Sequence, residues 1–523
     1  MKKSLAIVPL TALALFAAGG KPDGARWWSY VEFLASDKLE GRNTGSEGHR
    51  IAAQYVASQF ERDGLKPAGE QSYIQPVKFK TMQLDESQSS LELNGKKLTI
   101  GEDGIIGTRI DPAPAVEAGL VFVGYGLRVP ESNYDDFANL DTKGKIAVFM
   151  GGSPASMSAA LASHYQSGGE RWAALKSAGM IGSISIANPK HMDIPWPRIA
   201  SNRFQMTMQL SAPGMNDTAG EQIGIAWNPA HADELLAGTG HTLGEIVTAA
   251  EARKPLPRFA IPGRLKVATA VKRGEVESQN IAAIFPGSDP KLKDEYVVMS
   301  AHIDHLGIGK PIKGDPIFNG AMDNAAGVAT VLDIAAHLKE SGAKTKRSIL
   351  FVVVTGEEKG DLGSDYFARH PTVPVKSMIA DINTDMFLPL YPLKLLTVPG
   401  LEESTLGDDL RTVAQQMGVR VQPDPQPARN IFIRSDQYSF VKQGVPAIFP
   451  GFGNEKGSKE EAIEMKWLEE RYHAPSDDLN QPVDKQAAGE FNELIERVIV
   501  RVANADTKPA WKQTSFFKRY VKN

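Results

Sequence analysis

One unbroken run of apolar residues constrains the fold of this 523-residue chain more than any other feature. Ser348 is followed by Ile, Leu, Phe and three Val without a polar side chain among them. The run is too short for a typical helix, and a strand of this composition is buried on both faces. We therefore predict a strand over residues 348–355 at the centre of an α/β sheet.

Strand-like and helix-like patterns alternate from residue 280 onward. Short apolar runs predict strands over residues 280–285, 296–300, 378–382 and 446–449, and helical spacing predicts helices over 325–338, 363–369 and 410–417. Two more helices are predicted between residues 27 and 65. This alternation predicts a mostly parallel or mixed central sheet flanked by helices.

The middle of the chain has a different texture. Between about residues 90 and 264 the sequence consists of short β-rich runs, such as 119–126 and 145–150, separated by Gly, Pro and Asn. A chain of this length also exceeds what one hydrophobic core serves. We predict a β-rich domain over residues 91–264, inserted into an α/β domain made of residues 20–90 and 265–523.

The amino-terminal residues have the layout of a secretory signal. Lys2 and Lys3 precede an apolar run over residues 5–16 and then small residues over 17–20. We predict a signal peptide over residues 1–19 and export to the periplasm or the extracellular space. The absence of cysteine excludes lipidation, and no later stretch has the roughly 20 apolar residues that span a membrane.

Charge indicates no polymeric partner. The formal net charge is -4 and no long block of Lys or Arg is present, which argues against nucleic acid as a ligand. Without cysteine, any metal has to be held by His and carboxylate side chains. The sequence does not indicate an oligomeric state.

Acidic and imidazole side chains follow the predicted strands. In open α/β sheets, functional groups gather at the carboxyl ends of the strands, so these residues are expected to meet at one edge. They are His302 and Asp304 after strand 296–300, Glu357 and Glu358 after strand 348–355, Asp385 after strand 378–382, and Asp323 at the start of helix 325–338.

The spacing of these residues predicts different roles. His302 and Asp304 lie two residues apart, so the carboxylate of Asp304 is expected to reach the second ring nitrogen of His302 and orient a metal-bound imidazole. The adjacent Glu357 and Glu358 diverge in extended backbone. One of them can then bind a metal while the other faces the substrate as a general base.

Five segments resemble the M28 family of zinc peptidases across roughly residues 275–505. They are SAHIDHLG from Ser300, NGAMDNAAG from Asn319, TGEE from Thr355, NTDM from Asn383 and YHAPSDD from Tyr472. The resemblance implies that the α/β domain is catalytic. It also implies that His302 and Asp385 bind one zinc, Glu358 and His473 bind a second, Asp323 bridges them, Glu357 is the general base and Asp304 supports His302.

The implied ligand set is consistent in charge. Two divalent cations bring four positive charges and three carboxylates bring three negative ones, so a bridging hydroxide would make the centre neutral, which favours ionised water as nucleophile. Ligands of this kind suit Zn²⁺ first, with Mn²⁺ or Co²⁺ as substitutes. The resemblance further implies a cis peptide bond between Asp323 and Asn324.

Other positions keep two interpretations. Tyr472 is either an oxyanion donor, as the resemblance implies, or a packing residue. Arg434 either binds substrate or lies at the surface at a helix start. His305 is interpreted as an orienting or structural residue, and Asp381 competes with Asp385 as a ligand, with Asp385 favoured by the family pattern.

The inserted segment resembles a protease-associated (PA) domain. The matching stretches are VGYG from Val123, LDTKGKIAV from Leu140, and residues 176–184. The combined resemblance implies a secreted two-zinc exopeptidase that removes residues from the free amino end of peptides. A carboxypeptidase, a glutaminyl cyclase and a non-catalytic binding protein on the same fold remain as alternatives.

Overall fold

The computed structural model describes residues 23–192, 194–426, 429 and 431–521. The predicted signal peptide, residues 1–19, lies outside the described residues. Within those ranges, no helix combines the length and the apolar character needed to cross a membrane.

The first of two large sheets has eight strands. Their order is β11-β2-β14-β18-β15-β19-β22, with β1 paired to β14. The strands are β1 Lys66–Pro67, β2 Ile74–Leu84, β11 Thr207–Leu210, β14 Val271–Phe285, β15 Tyr296–His302, β18 Ser348–Val354, β19 Met378–Asn383 and β22 Ala447–Ile448.

Strand β18 lies in the middle of this sheet and all seven of its residues are buried, as the apolar run predicts. It runs parallel to β15, which is parallel to β19, and β19 is parallel to β22. On the other side β14, β2 and β11 are antiparallel. The mixed α/β sheet predicted from the sequence is confirmed, and the parallel half is the half that carries the predicted strand ends.

Thirteen α-helices surround the sheets in the described residues, and the helices predicted from apolar spacing are present with bounds shifted by a few residues. They are α1 Gly24–Leu34, α2 Glu47–Arg62, α3 Ala159–Gln166, α4 Gly168–Ser177, α5 Trp196–Ser201, α6 Ala232–Leu235, α7 Leu243–Glu251, α8 Ala326–Glu340, α9 Leu362–Arg369, α10 Leu406–Gln416, α11 Gln437–Val441, α12 Lys459–Glu470 and α13 Lys485–Asn504.

Helices cover both faces of the first sheet. On one face α1, α2, α8 and α13 bury residues such as Trp27, Val331 and Leu494 in a single large core. On the other face α9 and α11 contribute Phe367 and Phe440 to a smaller core. This double covering explains why β18 contains no polar side chain after Ser348.

The second sheet also has eight strands, in the order β4-β3-β13-β6-β9-β10-β12-β5, and has its own core. Its strands are β3 Ser90–Leu93, β4 Lys96–Leu98, β5 Gly104–Ile106, β6 Ala115–Val123, β9 Ile146–Met150, β10 Gly182–Ile186, β12 Ile223–Trp227 and β13 Arg258–Ala268. Smaller pairings join β7 Arg128–Val129 to β8 Tyr134–Asp135, β16 Gly307–Ile312 to β17 Asp315–Phe318, and β20 Leu395–Thr397 to both β21 Arg420–Gln422 and β23 Gly451–Phe452.

The second sheet lies within residues 90–268, close to the segment predicted as an insertion. Strand β11 belongs to that segment by sequence, yet it pairs with β2 at the edge of the first sheet. The segment is thus tied to the first sheet by backbone hydrogen bonds. The exact domain bounds, and the resemblance of the insertion to a PA domain, stay predictions.

Candidate metal centre

The carboxyl ends of three adjacent strands bring the predicted residues together. Strand β15 ends at His302, β18 ends just before Glu357 and Glu358, and β19 ends just before Asp385. Because β15 lies between β18 and β19 and all three are parallel, these ends meet at one edge, as expected from the sequence.

Three side chains converge around the ring of His302. Its Nε2 atom lies 3.2 Å from Oδ1 of Asp385 and 3.5 Å from Oδ1 of Asp323. The same atom is 3.9 Å from Oε2 of Glu357. His302, Asp323 and Asp385 each present one ligand atom within 4.8 Å of the others, which is a spacing that a single ion can bridge.

A second group forms on the other oxygen of Asp323. Its Oδ2 atom lies 3.2 Å from Nε2 of His473, which is 3.4 Å from Oε2 of Glu358. The structure therefore brings all five predicted ligands into one centre, with Asp323 between the two groups. The Asp323–Asn324 peptide bond is cis, which confirms that prediction.

His305 is a further member of the second group. Its Nδ1 atom lies 2.7 Å from Oε1 of Glu358 and 3.7 Å from Oδ2 of Asp323, and its side chain is fully buried. His305, Asp323 and Glu358 also present ligand atoms within 4.8 Å of one another, so they could hold an ion as the first group could. The sequence interpretation of His305 as an orienting residue did not foresee this contact, because a histidine one residue after Asp304 has no distinguishing spacing.

Three buried polar atoms of the second group have no hydrogen-bond partner among the described residues. They are Oε1 of Glu358 and both ring nitrogens of His305, although two of these atoms are 2.7 Å apart. Buried polar atoms are normally hydrogen-bonded, so convergence without hydrogen-bond geometry fits atoms directed at an ion. The residues present thus fit a metal centre of carboxylate and imidazole ligands.

The electrostatics of the centre reflect crowded acids and imidazoles. Burial raises the pKa of Glu357 well above its usual range, and Asp361, Asp385 and Glu358 raise it further, while His302 opposes them. Burial also acts to raise the pKa of Asp385, but His302 and Ser435 lower it below its ordinary value. Divalent cations would relieve this crowding by balancing the buried carboxylates.

Asp304 contacts its surroundings differently from the sequence expectation. Nδ1 of His302 lies 3.1 Å from the main-chain carbonyl oxygen of Asp304, whereas the Asp304 carboxylate is 3.9 Å away. That carboxylate instead accepts hydrogen bonds from the Thr44 hydroxyl at 2.8 Å and the Glu357 amide at 3.2 Å. The expected carboxylate contact is replaced because the chain turns after His302 and presents its carbonyl first.

Three further residues support the centre, and none of them was assigned this role from the sequence. Asp477 accepts hydrogen bonds from the amides of Met322 and Asp323, at 2.9 and 3.1 Å. Ser435 donates to Oδ2 of Asp385 at 2.8 Å. Arg42, fully buried, donates to the carbonyl oxygens of the loops before Asp323 and after His302. Asp477 lies in the YHAPSDD segment that resembles the M28 family, but Ser435 and Arg42 belong to none of the five quoted segments, and only the fold reveals the contacts of all three.

Asp381, Tyr472 and Arg434, which the sequence left with two interpretations, lie at different places around the centre. Asp381 is fully buried below the centre, accepts a hydrogen bond from Ser300 at 2.9 Å, and belongs to neither ligand group of the described residues. Asp385, by contrast, belongs to the group formed with His302 and Asp323. The rings of Tyr472 and His473 lie 4.1 Å apart, so Tyr472 is next to the second group. Arg434 is exposed.

A cavity of about 880 Å³ opens over this centre. Asp323, Glu357 and Glu358 lie on its floor together with Tyr472 and His473. Residues of the inserted segment, from Arg109, 166–170 and 215–218, form part of its wall, and Arg434 lines it as well. The cavity is therefore built by both parts of the chain, and its size suits a short peptide or a chain end.

The family model described as Peptidase family M28 matches residues 280–499. We refer to residues 280–499, which match this family model, as the M28 segment. This M28 segment contains every residue of the two ligand groups, and it contains the parallel half of the first sheet.

Similar known proteins include a carboxypeptidase and aminopeptidases. Carboxypeptidase Q of Xenopus laevis is 24% identical over 368 residues, which covers 68% of this chain and 65% of that protein. The solved aminopeptidase from Aneurinibacillus sp. strain AM-1 superposes with a TM-score of 0.57 at 18% identity, covering 93% of this chain and 96% of that one. BSAP, a zinc aminopeptidase from Bacillus subtilis, gives 0.51 at 17% identity over 92% and 96%. The structural matches show a shared fold.

Proposed function

We propose that this M28 peptidase is an exported two-zinc aminopeptidase, which hydrolyses amino-terminal residues from peptides. The observation that carries the proposal is the position of Asp323, whose two carboxylate oxygens face two separate groups of ligand atoms. A carboxylate placed in this way suits a bridge between two ions. The zinc aminopeptidases of the same fold support the choice of metal.

The proposed ligands divide between the two ions. His302 and Asp385 hold the first, Glu358 and His473 hold the second, and Asp323 serves both, with His305 in contact with the second set. Nitrogen and oxygen ligands without thiolate suit Zn²⁺, and Mn²⁺ or Co²⁺ are possible substitutes. Bound zinc supplies a Lewis acid that polarises the scissile carbonyl group and lowers the pKa of water.

Glu357 is the proposed general base. It lies on the cavity floor beside the ligands, and its amide is held by the carboxylate of Asp304, which fixes the start of its loop. Its carboxylate accepts a proton from the attacking water and returns that proton to the departing amine. Tyr472 is the proposed donor to the developing oxyanion, and its position beside His473 in the lining of the same cavity supports this role.

A carboxypeptidase remains the second candidate. It is favoured by the similarity to carboxypeptidase Q and by the exposed Arg434 in the cavity lining, because a guanidinium pairs well with a terminal carboxylate. A glutaminyl cyclase and a non-catalytic binding protein have no specific observation in their favour, since all five ligands predicted from the sequence are present.

Peptides with blocked ends separate the two candidates. An aminopeptidase will release residues from carboxyl-blocked peptides and will not act on amino-blocked ones, and a carboxypeptidase will show the opposite pattern. The same assays before and after chelation, with zinc then restored, test the metal requirement. Activity that survives complete chelation, or metal analysis that finds no stoichiometric zinc, would refute the two-zinc enzyme.

Export is tested separately. Amino-terminal sequencing of the protein recovered from the periplasm or medium of the producing cell should start near residue 20. Recovery of the chain beginning at Met1 from the cell interior alone would refute the proposed localisation.

A further inference from the structure

Asp361 occupies an unusual position beside the proposed base. It immediately precedes helix α9, and its amide donates a hydrogen bond to the carbonyl oxygen of Glu357 at 2.9 Å. The backbone of Asp361 has a φ of 56°, in the left-handed region that residues other than Gly, Asn and Asp rarely adopt. The residue lines the same cavity as Glu357 and Asp323.

One oxygen of the Asp361 carboxylate is not satisfied by the protein. Its Oδ1 atom is buried and has no hydrogen-bond partner among residues 23–192, 194–426, 429 and 431–521. A buried carboxylate oxygen without a donor is costly and rare, and at the wall of a cavity it marks a place where a ligand can supply the donor. Asp361 is not one of the proposed metal ligands.

The nearby cations of the cavity wall already have other partners. Lys442 pairs with Asp365 at 3.2 Å, and Arg369 pairs with Asp365 at 3.0 Å and Asp217 at 3.3 Å. Arg109 donates to the carbonyl oxygen of Lys359 at 2.6 Å. Burial raises the pKa of Asp361 to about 6, and Lys442 and Arg109 act against that rise without forming an ion pair with it.

We infer that Asp361 is a specificity-determining residue whose carboxylate receives a cationic nitrogen of the substrate at the cavity wall. An ammonium group offers three donors and a full positive charge, so it satisfies the free oxygen and neutralises the carboxylate together. Two parts of a peptide supply this chemistry: the free amino end, separated from the scissile carbonyl carbon only by Cα, and the side chain of an amino-terminal lysine or arginine. This inference rests on the proposed aminopeptidase function.

The test uses variants that keep the backbone of Asp361. Asp361→Asn and Asp361→Gly both remove the charge, and both residues adopt a positive φ readily, so each is expected to fold. The full-length zinc-loaded protein is assayed with the p-nitroanilides of lysine, norleucine and leucine. Norleucine has a side chain similar to that of lysine but lacks the ammonium group, so this pair isolates the side-chain charge.

The two sources of the cation give different results. If Asp361 binds the free amino end, kcat/KM falls about 10- to 100-fold for all three substrates, mainly through KM, which is the range of a lost charge-assisted hydrogen bond. If Asp361 binds a basic side chain, kcat/KM falls by this factor for the lysine substrate alone. The ratio of kcat/KM for the lysine substrate to that for the norleucine substrate then falls by the same factor. A merely structural role would change neither KM selectively nor this ratio.

The control is Asp217→Asn, which removes a carboxylate of the cavity rim whose side chain is 53% exposed and paired with Arg369. It should leave the lysine-to-norleucine ratio unchanged. Unchanged kcat/KM in both Asp361 variants, with an active wild type, overturns the inference and leaves the aminopeptidase proposal intact. A wild type that cleaves none of the anilides but removes carboxyl-terminal residues from amino-blocked peptides overturns both.

Discussion

Asp323 uses each oxygen of its carboxylate for a different set of neighbours. One oxygen faces His302, and the other faces His473 and His305. Asp477 holds the amide of Asp323 and that of the residue before it, so the orientation of the carboxylate is fixed through the backbone. A single side chain thus determines the distance between the two halves of the centre.

Asp323→Ala should therefore lose both metal ions and all activity, because one ligand is removed from each half. The measurement is the zinc content per chain after dialysis, alongside peptide hydrolysis. Asp315→Ala, in the exposed hairpin of β16 and β17, is the control and should retain both ions. Two ions retained by Asp323→Ala would contradict the bridging role.

Glu357→Gln should lower kcat by about 100-fold or more while leaving the zinc content nearly unchanged, because it removes a proton acceptor and no ligand. Glu358→Gln, one residue further along, should lose metal as well as activity. The pair is measured by single-turnover hydrolysis and metal analysis. Near-normal turnover in Glu357→Gln would remove this residue from the mechanism.

At the scale of elements, the loops around the centre are held by one buried guanidinium. Arg42 follows α1 in a short helical turn, and it donates to the carbonyl oxygens of Leu34, Ile303, Asn319 and Gly320. These oxygens belong to the end of α1, the loop after β15 and the loop before α8. Arg42 therefore joins the end of α1 to the loop that follows His302 and to the loop that leads to Asp323.

Arg42→Met should lower the free energy of unfolding by about 3 kcal/mol or more, because it leaves buried carbonyl groups without donors. It should also weaken zinc binding, because one of the freed loops follows His302 and another leads to Asp323. Arg50→Met is the control: this side chain is 45% exposed on α2, and solvent screens its pairing with Glu47, so its loss should change stability little. Equal thermal midpoints for the two variants would contradict this role.

Elements with a strong apolar pattern could be predicted from the sequence, and polar ones could not. Strand β18 and helix α8 lie where the pattern placed them, because their burial is recorded in their composition. Strand β14 begins at Val271, well before the predicted start at residue 280. The prediction missed the first half of the strand because that half is mostly polar and exposed. Strand β11 pairs at a sheet edge and consists of only four residues, so its pattern is too short to distinguish.

The residues of the centre likewise divide into those that the sequence predicts and those that it does not. His302, Glu358 and Asp385 follow strands, so topology alone predicts that they meet. His473 comes from a loop far along the chain, and only the family resemblance indicated it. Arg42, Asp477 and the contact of His305 depend on how loops pack, which neither spacing nor composition specifies.

At the scale of the whole molecule, a small buried cluster joins the inserted segment to the rest of the chain. His164 of α3 contacts the hydroxyl groups of Tyr438 at 3.0 Å and Tyr520 at 2.8 Å. Arg519 pairs with Glu131 at 2.6 Å beside it. The carboxyl-terminal residues therefore contact both the insertion and the M28 segment.

This cluster should make stability depend on pH. Burial lowers the pKa of His164 to about 4, with Arg519 and Lys442 acting in the same direction and Glu131 against it. Between pH 6.5 and 4 the unfolded chain binds a proton that the folded chain does not, so this stability is present above about pH 6.5 and is lost as pH falls through 4. His164→Gln should reduce the stability difference between pH 7 and pH 5 by about 2 kcal/mol.

The stability difference between the two pH values is measured by urea unfolding at each pH, with tryptophan fluorescence as the signal. His191→Gln is the matched control, because this side chain of the same segment is 49% exposed. An equal change of stability with pH in wild type and His164→Gln would show that the cluster is not sensitive to acid.

The wall that the inserted segment contributes to the cavity also limits what can arrive there. A folded protein presents surfaces too broad to enter a recess of about 880 Å³ flanked by residues 166–170 and 215–218. An unfolded chain end is narrow enough to pass between these residues and reach the centre. We therefore expect the enzyme to leave native proteins intact and to finish the digestion of fragments that endopeptidases have already released.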